Sequence, residues 1–122
     1  MLRVGVDIIE ISRIRAAAER WGPRFLNRIF TPGELAYARA RPPQLAARFA
    51  SKEAVMKLLG TGVRGVAWRE IEVVRQRTGA PSVALHGRAL RRAQRLGLGD
   101  VSLSISHSRE YAVAFVVGEA DR

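Results

Sequence analysis

Apolar positions along the chain keep two different periods, and the places where the period changes outline the elements. Residues 2–9 alternate Leu2, Val4 and Val6 with Arg3, Gly5 and Asp7 before Ile8-Ile9, the pattern of a strand with one buried face from whose end Asp7 emerges. The spacing then turns helical. Ser12 is the expected N-cap of a helix running to about residue 20, Gly22-Pro23 stops it, and residues 24–30 form a further short helical piece. Thr31-Pro32-Gly33-Glu34 is a capping box with proline at the first helical position, opening a helix to about residue 41. Pro42-Pro43 separates it from a helix over residues 46–59, which has no Gly or Pro and ends at Gly60. Past Gly60-Thr61-Gly62 and Gly65 the alternation returns. Strands are predicted at 70–76 and 82–86, with the turn Arg77-Thr78-Gly79-Ala80-Pro81 between them; an amphipathic helix follows at 87–96, then a second hairpin at 101–106 and 111–117. This order predicts an α+β fold, a mostly antiparallel sheet packed against helices, and 122 residues suit one domain spanning 1–122.

The helix at 46–59 carries an unusual choice of residues. Of 21 basic residues only two are lysines, Lys52 and Lys57, and both lie in it. Lysine is a compact point charge that binds phosphate without a planar fork, whereas arginine suits bidentate recognition. Glu53 and Lys57 share a face, yet Ala46, Ala50, Ala54, Val55, Met56, Leu58 and Leu59 leave little circumference for a solvated stripe. A surface Glu-to-Lys pair would stabilise the helix by about 0.3 kcal/mol; burial on most sides, with small alanines beside the charges, points instead to a ligand site.

Composition narrows the chemistry. No apolar run approaches the ~20 residues a membrane span needs, the N-terminus lacks a signal peptide's apolar core, and a soluble cytoplasmic protein is expected. With no cysteine and two distant histidines, any metal should be a hard one held by oxygen. The net charge of +10 suggests an acidic or polyanionic partner, although arginine and alanine enrichment inflates the total. Most of the eleven acids have local explanations: Glu34 in the capping box, Glu70 and Glu72 on a solvated strand face, Asp100 and Glu110 in turns. Asp7 and Glu53 do not. Magnesium uses one or two carboxylates with waters and phosphate oxygens, which this pair could begin. Ser102, Ser104, Ser106 and His107 bring hydroxyls and an imidazole to the exit of another strand; His86, before Gly87, reads as a simple capping histidine.

Gly5-Val6-Asp7, the run Phe49-Ala50-Ser51-Lys52-Glu53-Ala54-Val55-Met56-Lys57, the turn Gly60-Thr61-Gly62 and Ser104-Ile105-Ser106-His107-Ser108 together resemble the holo-acyl-carrier-protein synthase family of 4′-phosphopantetheinyl transferases, over essentially the whole chain. Phe49 stands where many relatives have tryptophan. The resemblance implies transfer of phosphopantetheine from coenzyme A to a serine of apo acyl carrier protein, releasing adenosine 3′,5′-bisphosphate. It implies Mg²⁺ on Asp7 and Glu53, Lys57 neutralising charge on the transferred phosphoryl group, and Ser51 and Lys52 as further phosphate contacts. Gly60 and Gly62 would let backbone approach the coenzyme, His107 would contact its phosphates or adenosine, and Pro81 with the turn before it would wall the nucleotide. The general base is left between Glu53 and a metal-bound water. The resemblance further implies a homotrimer with sites between subunits, and an acidic carrier protein docked on Arg13, Arg15, Arg20 and Arg24. A basic nucleic-acid-binding protein would use the arginines but not Asp7 or Glu53, and it has few aromatic residues for stacking. A noncatalytic coenzyme-binding subunit would share the pocket without turnover.

Overall fold

The computed structural model describes residues 1–121. Strand β1 (Leu2–Glu10) runs directly into α1 (Ile11–Trp21), followed by α2 (Pro23–Ile29), α3 (Pro32–Ala38) and α4 (Pro42–Leu59). A single helical turn, α5 (Gly62–Gly65), and a 3-10 turn (Trp68–Glu70) lead to β2 (Ile71–Arg75) and β3 (Pro81–Leu85); α6 (Gly87–Leu96), β4 (Val101–His107) and β5 (Tyr111–Glu119) follow. The class and element order are those the sequence predicts. The strands form two sheets rather than one: β5 lies between β1 and β4, β2 pairs with β3, and every pairing is antiparallel.

Helix α4 is the centre of the fold, packed against strands of both sheets and against α1, α3 and α6. Ala46, Ala50 and Ala54 recur one turn apart along it and are fully buried, as are Ala112 and Ala114 on β5. Small residues on both sides let helix and sheet approach closely. Gly5 is the extreme case, because a Cβ there would overlap the Ala54 carbonyl oxygen. Leu45, Val55, Leu58 and Leu59 fill the other sides and join Phe30, Ile11 and Ile71 in one apolar core. The C-terminus of α4 is held from outside. Gly60 takes the left-handed conformation (φ 75°), Arg3 Nε donates to Leu58 O at 2.7 Å, and Arg92 Nε donates to Leu59 O at 3.0 Å. Two guanidinium groups thus satisfy carbonyls that the helix leaves open and offset its negative pole.

Some local expectations are corrected. Glu10, not Ser12, is the N-cap of α1, whose first N–H is donated to Glu110 O at 2.7 Å. Helix α3 ends at Ala38 because Arg39 and Ala40 turn left-handed, and Arg41 then folds back to donate to the carbonyls of Ala38 and Tyr37. Pro42 and Pro43 open α4 instead of preceding it, since proline fits the first turn, where no intrahelical N–H bond is made.

The larger correction concerns β1. Its buried face carries Gly5 and Ile9, while Leu2, Val4, Val6 and Ile8 point outward, 68%, 56%, 51% and 63% exposed. Register places Val4 beside Val117, Val6 beside Phe115 and Ile8 beside Val113 on β5, and these lie beside Ser102, Ser104 and Ser106 on β4. The outer face of the three-stranded sheet is therefore a continuous apolar surface with serines along one edge.

Candidate active site

The contact of Gly5 with Ala54 sets β1 against α4, and with that contact made Asp7 and Glu53 meet across the two elements. Lys57, one turn after Glu53, donates to Val6 O at 2.9 Å and pairs with Asp7 Oδ1 at 3.2 Å; Asp7 is mostly buried while the lysine side chain is more than half exposed. Burial first, and the neighbouring Asp7 carboxylate second, push the Glu53 carboxyl above its ordinary range, against the opposing pull of Lys57 and Arg13.

Two cavities meet at Glu53. One, of about 230 Å³, is walled by Lys57, Gly60, Thr61 and Gly62. The other, of about 360 Å³, runs between β1, α1, α2 and α4, where the charged Asp7, Arg13 and Glu53 face Ile14, Phe25 and Phe49. Asp7, Glu53, Lys57, Gly60 and Gly62 are thus brought to one place. Among the described residues no cluster of three or more acidic, histidine or cysteine side chains is present. The donor set here is two carboxylates whose mutual repulsion already raises the proton affinity of one. Such a pair of hard oxygen donors fits a magnesium ion that completes its shell with phosphate and water.

Pro81 and His107 come together elsewhere. They line a cavity of about 200 Å³ with Tyr37, Gln44, Arg48 and Arg75. Helix α4 contributes Gln44, Ala47 and Arg48 to it, and these positions lie on the face opposite Glu53 and Lys57. One chain does not join its own His107 to its own Asp7 and Glu53. Arg48, which sequence reasoning passed over, is 4% exposed; it donates to Gln44 O at 3.4 Å and lies 4.3 Å above the Tyr37 ring. Its buried Nε has no hydrogen-bond partner, and burial lowers its pKa. Arg75 stacks on the same ring and donates to the Tyr37 hydroxyl. An unsatisfied guanidinium beside a second arginine and an imidazole is suited to an anion. The signal in the sequence was an arginine inside the same apolar helix that singled out Glu53.

Ser51 and Lys52 are corrected as phosphate contacts. Both are fully buried; Ser51 Oγ donates to Ala47 O at 2.7 Å. Lys52 Nζ pairs with Glu34 Oε1 at 2.7 Å and donates to the carbonyls of Trp68 and Ile71, so it stitches α4 to α3 and to the start of β2. Glu34 does more than cap: its Oε2 also accepts from Val73 N at 2.8 Å. Nor is Glu72 a solvated strand residue. It accepts from Thr31 Oγ1 at 2.7 Å and pairs with His86 Nε2 at 3.1 Å, which gives His86 a partner the sequence did not suggest. Glu70 precedes β2 in the 3-10 turn and accepts from the backbone of Ala67 and Arg88.

Arg13, Arg15, Arg20 and Arg24 are exposed along α1 and the start of α2. Arg20 lies 4.9 Å above the ring of the exposed Trp21, and Trp21, Arg24, Phe25 and Arg28 line a groove of about 340 Å³. Among the described residues no helix is long and apolar enough to cross a membrane.

Comparison with known proteins matches residues 3–116 to the 4′-phosphopantetheinyl transferase superfamily. The chain is 55% identical to a holo-[acyl-carrier-protein] synthase of Dehalococcoides mccartyi over 119 residues, 98% of this chain and 99% of the relative. It is 50% identical to the synthase of Moorella thermoacetica over 123 residues, covering 98% and 95%. Its fold is similar to the Helicobacter pylori synthase in complex with coenzyme A, with a TM-score of 0.87 at 29% identity, covering 95% and 99% of the two chains. The Neisseria meningitidis synthase gives a TM-score of 0.85 at 38% identity, covering 96% and 97%.

Proposed function

The chain is an enzyme of the 4′-phosphopantetheinyl transferase superfamily and belongs to its holo-[acyl-carrier-protein] synthase family; from that premise we propose that it transfers phosphopantetheine from coenzyme A to an acyl carrier protein. The acceptor is a serine hydroxyl of the apo carrier, the reaction depends on Mg²⁺, and adenosine 3′,5′-bisphosphate leaves. The observation that carries the reading is the meeting of Asp7, Glu53 and Lys57 where two cavities join.

In the transfer the serine oxygen bonds to the phosphorus that bears the pantetheine arm, the bond from that phosphorus to the bridging pyrophosphate oxygen breaks, and the serine proton goes to a base. Such a reaction needs positioning and charge neutralisation more than covalent help. Asp7 and Glu53 would hold the magnesium ion, which when bound offsets the negative charge of the pyrophosphate. Lys57, exposed and already at the carboxylate pair, supplies a second positive charge to the same phosphates. Gly60 and Gly62 keep the wall beside them free of side chains. Glu53, whose carboxyl already binds a proton more readily than usual, is the chain's own candidate to receive the serine proton.

The site is completed by a second subunit of a homotrimer. Two observations support this. His107, Pro81 and Arg48 lie across α4 from Glu53, and the apolar outer face of the β1–β5–β4 sheet suits burial against another copy. The partner subunit's His107 and Pro81 then wall the nucleotide held at Asp7 and Glu53, with Arg48 as an added anion contact. The arginines of α1 and α2 receive the acidic carrier protein in the cytoplasm.

Incubation with coenzyme A, Mg²⁺ and apo carrier protein, followed by mass spectrometry, should show one phosphopantetheine added to the carrier's serine. No addition, with coenzyme binding intact, would leave a noncatalytic coenzyme-binding protein in its place.

A further inference from the structure

We infer that Arg3 is a positioning residue: its bond to the end of α4 fixes where Asp7 stands along that helix, and with it the geometry of the Asp7 and Glu53 carboxylates. From the proposed function the inference takes only that this pair holds the metal. The two carboxylates belong to different elements, so their relation depends on two coordinates. One is the distance between β1 and α4, which Gly5 sets by lying against the Ala54 carbonyl. The other is the register of the strand along the helix axis. Interlocking side chains usually fix a register, ridges of one surface seating in grooves of the other. Here the surfaces are close to smooth: the helix contributes the buried Ala46, Ala50 and Ala54, the sheet Gly5, Ala112 and Ala114.

Polar contacts then have to supply the register. Arg3, Gly5 and Asp7 alternate along one face of β1. Arg3, two residues before Gly5, donates from Nε to Leu58 O at 2.7 Å; Asp7, two residues after it, pairs with Lys57 Nζ at 3.2 Å. The strand is thereby held on both sides of the glycine. The two holds differ in kind. The Lys57 side chain is 56% exposed, and an ion pair so open to water is weak and screened; in the transfer Lys57 also turns its charge to the phosphates. Asp7 then loses that hold, and the bond from Arg3 to a backbone carbonyl at the negative pole of α4 keeps the register. Pairing with β5 aligns β1 within the sheet without fixing the sheet on the helix.

Arg92 provides the contrast. It makes the same bond one residue later, from Nε to Leu59 O at 3.0 Å, and both guanidinium groups lie against Gly60, 3.3 Å (Arg3) and 3.7 Å (Arg92) from where a Cβ would stand. Arg92 comes from α6, however, so it caps the helix without tying it to β1.

The test reads metal binding beside turnover. Mn²⁺, another cation suited to carboxylate oxygens, is titrated into wild type, Arg3→Met, Arg3→Lys and Arg92→Met with coenzyme A present and no carrier, and the free ion is followed by electron paramagnetic resonance. Denaturation midpoints are recorded alongside. Each methionine variant removes one positive charge and one donor to a helix carbonyl, so both should lower the midpoint. Arg3→Met alone should weaken Mn²⁺ binding, by roughly 10–100-fold, the scale for losing a group that orients a metal ligand, and its kcat at saturating coenzyme A should fall with it. Arg3→Lys keeps the charge and a donor of shorter reach, and should recover affinity to within a few-fold of wild type. If Arg3→Met does not fold, that remaining loss, absent from Arg92→Lys, carries the test. Equal Mn²⁺ affinity in the Arg3 and Arg92 variants overturns the inference and leaves the proposed function untouched. A Mn²⁺ affinity that depends on Arg3 in a protein that transfers nothing to the carrier keeps the inference and overturns the proposed function. A wild type that takes up no Mn²⁺ sinks both.

Discussion

Gly5 lies against the carbonyl of Ala54 so closely that no side chain fits between β1 and α4. The neighbouring atom is backbone, which cannot swing aside. Gly5→Ala should cost about 1–3 kcal/mol, the range for overpacking. It should appear as a lower denaturant midpoint at unchanged slope. Because the strand must back away from the helix, Mg²⁺-dependent transfer should fall further than the folded fraction does. Activity that merely follows the folded fraction would mean that Asp7 and Glu53 keep their relation without this contact.

Lys52 and Glu34 form an ion pair with both side chains fully buried. Removing one partner leaves an uncompensated charge, so Lys52→Ala should lose about 3–5 kcal/mol of stability, and the double change Lys52→Met with Glu34→Gln should recover only part of it, because both Glu34 oxygens accept buried backbone N–H groups and a glutamine offers one acceptor. Chemical denaturation of the three chains checks the order. With no surface, Lys52 should leave the coenzyme KM of the folded Lys52→Met, Glu34→Gln protein near that of wild type; a large rise in KM alone would return the lysine to the binding site.

Glu72 gives a pH dependence of defined sign. The hydrogen bond from Thr31, helped by His86 and opposed by burial, lowers its pKa from the ordinary 4.5. A carboxyl held lower in the folded state contributes stability that is complete above its unfolded pKa and is lost as pH falls through the folded one. Thermal melts of wild type and Glu72→Gln between about pH 6 and pH 3 should therefore differ most at the upper end and converge below the usual carboxylate range. A constant difference would place the interaction outside the ionised state.

At the reacting centre, Asp7→Ala and Glu53→Ala should each reduce kcat/KM by at least about 10²-fold, the scale of losing one electrostatic stabiliser, with melting temperatures near wild type. Mg²⁺ titrations should show saturation lost or moved to much higher concentration. Lys57→Ala should lower kcat far more than it raises the coenzyme KM if its charge acts chiefly on the transition state. The reverse split would make it a contact of the bound substrate only.

For the carrier, reversing Arg13, Arg20 and Arg24 to Glu should raise its KM about tenfold at low salt. The difference from wild type should shrink as ionic strength rises. The proper comparison is Arg91→Glu with Arg95→Glu on α6, both exposed, set against the double reversal of Arg20 and Arg24 so that the charge change is equal, and leaving Arg92 in place because it caps α4. Equal losses in both sets would reduce the effect to net charge. Arg13 also lines the cavity that contains Glu53, so Arg13→Glu alone should further lower kcat, unlike Arg20→Glu.

Much of this molecule was legible in its sequence because local rules were strong where they applied. The Thr31 to Glu34 capping box and the termination of α4 at Gly60 are present in the fold as read. Asp7 stood out in a strand and Glu53 inside an apolar helix, and the fold brings them together. The misreadings of Lys52 and Glu72 share one cause: their partners are distant in the chain. Nothing near Lys52 in sequence announces Glu34, eighteen positions earlier, and Glu72 finds Thr31 only once β2 lies beside α3. The inverted face of β1 escaped for a related reason. Alternation tells which residues share a side, while the decision to turn Gly5 inward depends on how closely a helix can approach.

Helix α4 presents Glu53 and Lys57 on one face and Arg48 on the other. In the proposed ring of three chains each copy of this helix would serve two reactions, supplying the carboxylate to one neighbour's nucleotide wall and the arginine to the other neighbour's carboxylates. Damage is then not confined to the chain that carries it. A ring that mixes a copy lacking Glu53 with a copy lacking Arg48 can collect both faults at a single junction and leave another intact, so two separately defective sequences would complement one another in one cell, and the genetics of this small enzyme would be that of its junctions.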